Sequence, residues 1–200
     1  VLFSAKLVEA KIMESHLHDA LMYDADLTKA DLTNSFLLST DLHGANLNKA
    51  ILVKANLHKA ILINADLYKT NLREAILFST KLEGARFIEA DLSNADLRSA
   101  HCINTNFQNA NMDNAKVHGI SVWDIKTEGL RQNNLVITKK NQPIVTVDNL
   151  KVAQFIYLLL NNEEIRDALG TIAKKGVLIL GRFTPERKKI LDAIRNKLRE

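Results

Sequence analysis

The side chains that could carry chemistry in this chain are six histidines, a single cysteine and several closely spaced carboxylates. His18, His58 and His118 are separated by multiples of twenty residues, and His16 precedes His18 by two. A zinc ion needs ligand atoms at about 2.0–2.3 Å from one centre, usually four of them. These histidines have no cysteine or third histidine close to them in sequence. We therefore interpret them as solvated surface side chains and predict no metal site.

Nucleophilic and acid–base catalysis have equally little support in the sequence. Cys102 occupies a position that large apolar residues fill elsewhere, so we expect a buried, unreactive thiol. The carboxylate pairs Asp24/Asp26 and Asp91/Asp96 recur where short side chains that bond nearby amides favour turns. No Ser–His or Cys–His arrangement is present. The sequence predicts no catalytic residue and no cofactor, and a single cysteine is compatible with a reducing, cytoplasmic setting.

One short run could attract an anion. Gly181 and Arg182 come directly before a strong helix start at Thr184-Pro185, and a helix N-terminus favours negative charge. The run has neither the spacing of a phosphate-binding P-loop nor the three glycines of a dinucleotide fingerprint. We interpret it as an ordinary turn between a strand and a helix.

The histidines, Cys102 and the paired carboxylates are positioned by a repeat of five residues. A large residue, usually leucine, occurs at every fifth position from Leu2 to Val122, and a small residue lies two positions before it. The exceptions to leucine are Ile12, Met22, Phe87, Cys102, Phe107, Met112, Val117 and Val122. Alanine, serine or threonine fills every small position from residue 5 to residue 115, and only Ile120 breaks that rule.

A period of five fits neither an α-helix nor a flat strand, whose periods are 3.6 and 2. In a helix, leucines five apart would rotate by about 140° per step and would form no stripe. If each unit turns the chain by a quarter, four units close a coil of about twenty residues, and coils stack about 4.8 Å apart. The large residues then share one interior, and the small ones fit at its corners. We predict a mainly β solenoid of about six coils.

The phrases Ala45-Asn46-Leu47, Ala55-Asn56-Leu57 and Ala65-Asp66-Leu67 resemble the pentapeptide repeat family, whose units read A-(D/N)-L-x-x. The resemblance covers residues 2–122 and implies a right-handed quadrilateral parallel β-helix. Most members of the family have no known activity. The best-known members are quinolone-resistance proteins that bind DNA gyrase by mimicking DNA.

Charge bears on that mimicry. The chain has a formal net charge of +4, but residues 1–120 carry −2 and residues 121–200 carry +6. Mimicry of a duplex requires a strongly negative rod. We therefore keep a DNA-mimic, gyrase-binding protein as a second alternative only, and we do not expect nucleic acid as a partner.

Apolar residues interrupt the otherwise polar outward positions of the repeat on two predicted faces. Large exposed apolar patches mark interfaces, whereas scattered apolar residues need no explanation, and both interpretations remain open here. The candidate interaction surface comprises Phe36, Leu38, Ile76 and Phe78 on one face and Leu21, Tyr23, Ile61 and Ile63 on another.

The repeat weakens after Val117, and the open end of a solenoid must be covered. Ile120 and Trp123 are the candidate cap, Trp123 lying over the last coil, so we place the solenoid within residues 1–123. Two β-branched runs, 135–138 and 144–147, predict a β-hairpin. Residues 124–147 are accordingly predicted to be a cap or connector.

The remaining residues, 148–200, predict a helical segment followed by one β-α unit. Asp148 or Asn149 can cap a helix that runs to about Leu160, and Asn162 can start a second helix. The run 177–200 resembles the first strand and helix of a Toll/interleukin-receptor-like α/β domain. One strand and one helix cannot bury a parallel sheet, so we expect the domain to continue beyond Glu200. Because Leu2 and Ala5 are already in register, we also expect repeats or a cap before Val1.

The function that the sequence favours is a non-enzymatic protein–protein interaction scaffold, as the sensor or neck of a larger bacterial signalling or effector protein. Its partners would be another protein or a second copy of itself. No apolar run reaches the roughly 18 residues of a membrane span, and no small-molecule substrate can be identified. The first alternative is the N-terminal part of a Toll/interleukin-receptor-like protein that consumes NAD or binds a nucleotide.

Overall fold

A computed structural model describes residues 1–139, 141–165 and 167. Contacts divide the chain into two units, Val1–Tyr157 and Leu158–Glu200. In the first unit, parallel β-bridges join residues twenty apart, from Lys6↔Asp26 to Lys116↔Val136. One pairing of residues twenty apart widens into two short strands, β1 (His101–Ile103) and β2 (Ser121–Trp123). The first unit is therefore a parallel β-solenoid with twenty residues per coil, and its right-handed sense stays a prediction.

The interior of the solenoid contains the large residues of the repeat, as predicted. From Met22 to Val117 these side chains are at most 1% exposed, and the alanines at the corners are also buried. In the first coil, Leu7, Ile12 and Leu17 are only partly buried. Full burial of a leucine contributes about 1.5–3 kcal/mol. Residues five apart therefore share one dry interior, whose stability comes from contacts between successive coils.

Each corner of the coil is a tight turn. Within one unit, the Ala50 N–H donates to the Leu47 carbonyl over 3.0 Å, and Lys49 between them has a φ of +58°. A positive φ at the third residue of such a turn is the geometry of type II. Every fifth residue from Ser4 to Asn134 has a positive φ, so the chain turns in the same way once per unit.

The inter-coil ladder leaves one backbone N–H in each unit without a backbone partner. In the unit around Leu47, the N–H of Asn46 donates to the preceding coil, and the N–H groups of Leu47 and Lys49 donate to the next coil. The N–H of Asn48 instead donates to its neighbour Asn46 Oδ1 over 3.1 Å. This side-chain bond explains why aspartate or asparagine precedes the central leucine in the repeat.

Where a threonine follows the central residue, its hydroxyl strengthens the same turn. Thr28 donates from both its N–H and its hydroxyl to Asp26 Oδ1, over 3.1 and 2.6 Å. These bonds hold the pKa of the Asp26 carboxyl below its usual value. The Asp and Asn positions are therefore structural, as the sequence indicated.

Three of the four threonines at corner positions join one coil to the coil before it, whereas the Thr80 hydroxyl donates to the Leu77 carbonyl of its own unit. The buried Thr105 hydroxyl donates to the Leu82 carbonyl over 2.8 Å, and Thr40 and Thr70 make the same bond to Leu17 and Leu47. Alanine, the usual residue here, fits the corner but cannot make this bond. Threonine therefore adds a hydrogen bond between coils without adding bulk beyond the corner.

Thr105→Val is expected to lower the free energy of unfolding by about 0.5–1.5 kcal/mol, because a methyl group of similar size replaces a buried donor while the Leu82 carbonyl keeps its bond from the Ala85 N–H. Urea denaturation followed by circular dichroism would measure the loss. Thr146→Val is the control, since Thr146 is exposed and its hydroxyl forms no hydrogen bond with another described residue; we expect a smaller loss there. Equal losses at the two positions would contradict a role for the bond between coils.

The last coil extends beyond the predicted boundary at residue 123. Bridges continue through Lys126 and Arg131 to Val136. In this coil the pattern is inverted. The large residues stand at corner positions, and Thr127 and Gln132 stand at central positions. The corner residues are Ile120, Ile125, Leu130 and Leu135, of which all but the partly buried Leu130 are at most 9% exposed. Because the large residue shifts from the central to the corner position, the run of large central residues stops at Val122, before the last coil ends.

Ile120 is buried as the prediction requires, but Trp123 does not cover the last coil. Trp123 is 54% exposed, and its indole N–H donates to the Ser121 hydroxyl over 3.1 Å. The prediction for Trp123 was therefore wrong, because the residue that follows a central residue points outward throughout the repeat. Leu150 and Ala153 of helix α1 (Leu150–Asn161) instead join the buried cluster at this end.

Side chains outside the coils replace the backbone acceptors that a further coil would supply. The Val122 N–H donates to Gln154 Oε1 over 2.9 Å, and the Asn134 N–H donates to Asp148 Oδ1 over 2.9 Å. Asn149 is the N-cap of α1, and its Oδ1 accepts from the N–H groups of Lys151 and Val152. The open edge of the last coil is thus partly satisfied by side chains.

The predicted hairpin is present in a short form. Strand β3 (Leu135–Val136) pairs antiparallel with β4 (Thr146–Val147), so β4 lies along the edge of the last coil. In the second unit, Asn162 Oδ1 accepts from the Ile165 N–H over 3.0 Å, which is the predicted N-cap. The β-α unit predicted for residues 177–200 lies outside the described residues.

Candidate interaction groove

One face of the solenoid carries a groove, and we call this face the groove face. It is formed by the outward residues of the units around Leu17, Leu37, Leu57, Leu77, Leu97 and Val117. A depression of about 1100 Å³ runs over the last five of these units, from Leu38 to Lys116. One wall is the loop between β3 and β4, through Thr138, Lys139, Asn141, Gln142 and Ile144. The other wall is a row of positive-φ turn residues, each directly before a corner alanine: Glu74, Asn94 and Asn114.

The floor of the groove combines an apolar patch with a fixed ion pair. Ile76 is 39% exposed and Phe78 is half-buried. The Phe78 ring stacks on His58 at 5.1 Å between centroids, and the Arg98 guanidinium lies 5.6 Å from its centroid on the following coil. The apolar surface is therefore held in place by side chains of the neighbouring coils.

Arg98 is fixed by the carboxylate of Asp96. Its Nε and Nη2 donate to the two carboxylate oxygens over 2.8 and 2.5 Å, and Asp96 is 9% exposed. This bidentate bond raises the pKa of Arg98. Both charges on the floor are thereby neutralised within the protein, so neither is available to attract an ionic partner.

The unpaired charge of the groove is positive and lies towards β3. Lys116 and Lys139 are both exposed, and neither forms an ion pair with another described residue. The acidic wall residue Glu74 has its own counter-ion, because Lys54 Nζ lies 3.7 Å from its carboxylate. The groove thus has an apolar end near Ile76 and a cationic end near Lys116.

The groove brings together three of the eight residues predicted to form an interaction surface. Leu38, Ile76 and Phe78 line it. Phe36 lies on the same face outside the groove, where its ring stacks on His16 at 4.9 Å. Leu21, Tyr23, Ile61 and Ile63 lie on the adjacent face, and the first two are 43% and 36% exposed. That these residues bind a partner remains a prediction.

Sequence reasoning missed the loop wall and the cationic end of the groove. Lys116 carried a weak signal, because it replaces the aspartate or asparagine of the repeat. Ile76 also stands where the repeat usually has aspartate or asparagine. An aspartate or asparagine there would accept the Phe78 N–H, which has no hydrogen-bond partner among the described residues. An intramolecular hydrogen bond contributes about 0.5–1.5 kcal/mol. An exposed isoleucine here forgoes that stabilisation, which makes Ile76 a better candidate than burial alone would suggest.

Residues that could support catalysis or metal binding are not brought together in the described part of the chain. No group of three histidine, cysteine, aspartate or glutamate side chains lies close enough to hold a metal ion there. Cys102 is buried, and burial raises the pKa of its thiol far above the ordinary value. Among the described residues there is also no helix with the length and apolar character that a bilayer crossing demands.

Several outward carboxylates on the other faces are paired with a cation of the adjacent coil. Ion pairs join residues about one coil apart, with nitrogen–oxygen distances of 2.8 Å for Lys29–Glu9, 3.2 Å for Lys69–Glu89 and 3.2 Å for Arg86–Asp66. These carboxylates are each adjacent to a cation rather than to another carboxylate. The described faces therefore lack the long rows of unpaired negative charge that imitate a phosphate backbone.

Part of the repeat region is similar to a known protein family. The family model "Pentapeptide repeats" matches residues 40–77 and 75–119 in eight copies. No curated protein sequence matches the chain. The matched residues include Ile76, Phe78 and Lys116, so these residues of the groove lie within the matched segment.

Several solved structures are similar to parts of the chain. HetL, a pentapeptide repeat protein involved in heterocyst differentiation regulation from the cyanobacterium Nostoc, is 25% identical over 72% of this chain and 76% of its own, with a TM-score of 0.41. A pentapeptide repeat protein of the Arabidopsis thaliana thylakoid lumen is 25% identical over 72% and 86%, with a TM-score of 0.32. Trypsin-treated QnrB1, a plasmid-mediated fluoroquinolone resistance protein, is 16% identical over 84% and 82%, with a TM-score of 0.35.

Proposed function

We propose that this pentapeptide repeat solenoid is a non-enzymatic protein-interaction scaffold whose binding site is the groove. The observation that carries the proposal is the apolar patch of Ile76 and Phe78 on the floor of a depression of about 1100 Å³. Apolar surface that is held rigid and surrounded by polar groups is typical of protein-binding sites. The larger signalling protein and the cytoplasmic location suggested by the sequence are parts of the same proposal.

The rigidity of the floor favours binding over catalysis. Phe78 is held between His58 and Arg98, and Arg98 is held by Asp96. A surface that is ordered before binding loses less side-chain entropy when a partner docks. The same floor has no activated nucleophile and no carboxylate free of a counter-ion among its described residues. These features suit recognition of another chain.

Ile76→Asn is expected to weaken partner binding while leaving the fold intact. Asparagine restores the repeat consensus, and its amide oxygen can accept the Phe78 N–H, as Asn46 accepts that of Asn48. Loss of an apolar anchor from a binding site removes more than about 1 kcal/mol, or at least fivefold in Kd. Peptides from a random display library would be selected on the immobilised chain, and their Kd would be measured on both proteins.

Ile61→Asn is the matched control for this experiment. Ile61 stands at the same position of its unit but on the adjacent face, outside the groove. We expect the selected peptides to bind this variant with unchanged Kd. If Ile61→Asn reduced binding as much as Ile76→Asn, or if neither did, the groove would not be the binding site.

A further inference from the structure

We infer that the groove recognises an acidic segment of a partner protein, one that carries a large apolar side chain beside its carboxylates. The inference rests on the proposed function, because it assumes that the groove binds a protein. It adds the chemical class of the partner, and it follows from the separation of apolar and charged groups along the groove.

The apolar and the cationic ends of the groove lie on different coils. Ile76 is paired through the ladder with Asp96, and Asp96 is paired with Lys116. Two coil spacings therefore separate Ile76 from Lys116, which is about 9.6 Å along the solenoid. A partner segment that places an apolar side chain on Ile76 and Phe78 thus reaches Lys116 and Lys139 within a few residues.

Charge complementarity determines whether the bound segment of the partner is acidic or basic. The acidic groups that line the groove are already neutralised, Asp96 by Arg98 and Glu74 by Lys54. Lys116 and Lys139 have no such counter-ion among the described residues. A carboxylate near these lysines would gain Coulomb energy, and an additional cation would be repelled. The groove therefore selects against basic segments as well as in favour of acidic ones.

The ion pair of Asp96 and Arg98 lies between the apolar end of the groove and its cationic end. Because Arg98 is held by two hydrogen bonds to Asp96, it stays between the ends of the groove and does not turn towards a bound carboxylate. Attraction of the partner is then left to the two flexible lysines. Their side chains are exposed, so the contribution is screened by salt. We expect acidic peptides to bind more weakly as ionic strength rises.

Charge reversal tests the inference. Random peptides would be selected in parallel on the wild-type chain and on the double variant Lys116→Glu, Lys139→Glu. Peptides enriched on the wild type are expected to contain aspartate or glutamate next to an apolar residue. Their Kd is expected to be about tenfold higher on the double variant than on the wild type. Peptides enriched on the double variant are expected to contain lysine or arginine instead. Both lysines are exposed, so the variant should keep its fold, which circular dichroism would check.

Lys81→Glu is the control, because Lys81 is an exposed lysine at the same position of its unit on the adjacent face. It should leave the selected sequences unchanged. Enriched peptides that lose binding on Ile76→Asn but show no preference for acidic residues would overturn this inference and leave the proposed function standing. Enriched peptides that bind Ile76→Asn as well as the wild type, or the absence of any enrichment, would overturn both.

Discussion

Leu62→Ala is expected to lower the free energy of unfolding by about 2–5 kcal/mol, a large share of the stability of a domain. Leu62 is fully buried at the centre of a middle coil. The inward-facing leucines of the coils before and after it, Leu42 and Leu82, are buried as well. A truncated side chain leaves a cavity that these neighbours cannot fill, because the hydrogen-bonded ladder fixes the spacing of the coils. Urea denaturation with linear extrapolation would measure the loss.

Leu2→Ala is the control for that experiment. Leu2 occupies the same position as Leu62 three coils earlier, but it is 37% exposed. The same substitution there removes a contact that water already shares, so we expect a clearly smaller loss. Equal losses at the two positions would mean that stacking between coils does not determine the stability of the solenoid.

The interior could be predicted from sequence because a single local rule generates it. Each unit turns at the same place, with a positive φ at residues such as Lys49, and each turn brings the next central residue to the axis. A pattern with a period of five therefore specifies the fold without information about distant contacts. The aspartates and asparagines could be assigned in the same way, since Asn46 bonds to Asn48 within its own unit.

The last coil could not be predicted because the rule itself changes there. Ile125 and Leu130 occupy corner positions, while Thr127 and Gln132 occupy central ones. A search for large residues at the central position therefore stops at Val122. Gln132 is used for another purpose, because its Oε1 accepts the Leu150 N–H over 2.9 Å at the start of α1. The sequence does not show that a side chain at a core position will instead hold the capping helix.

The groove depended on contacts between residues distant in sequence. Ile144 and Lys139 belong to a loop that follows the repeats, yet they line the same depression as Ile76 and Phe78. Outward positions could be grouped by face from the period of twenty, so the apolar patch was predicted. The direction taken by the loop is set by the pairing of β3 with β4, which the spacing of five does not encode.

Ala75→Leu and Leu135→Ala are expected to destabilise the solenoid for opposite reasons, although both residues occupy the same corner of the coil. Ala75 is fully buried between the alanines of the coils before and after it, Ala55 and Ala95. A leucine there must displace the ladder, at about 1–3 kcal/mol or more. Leu135 is equally buried, and the reverse substitution removes about 2–5 kcal/mol by opening a cavity.

The difference lies in what each corner faces. Inside the stack, a corner side chain meets a corner on both sides at about 4.8 Å, which leaves room for a methyl group only. At the last coil, Leu135 meets Ala115 on one side, whereas α1 packs its Leu150 and Ala153 into the same buried cluster at this end. Ala115→Leu provides the control, because this corner is still inside the stack and should behave like Ala75. If Ala115→Leu or Ala75→Leu were neutral in urea denaturation, the corner would not be restricted by the adjacent coils. The small residue would then need another explanation, such as the positive φ that precedes it in every unit.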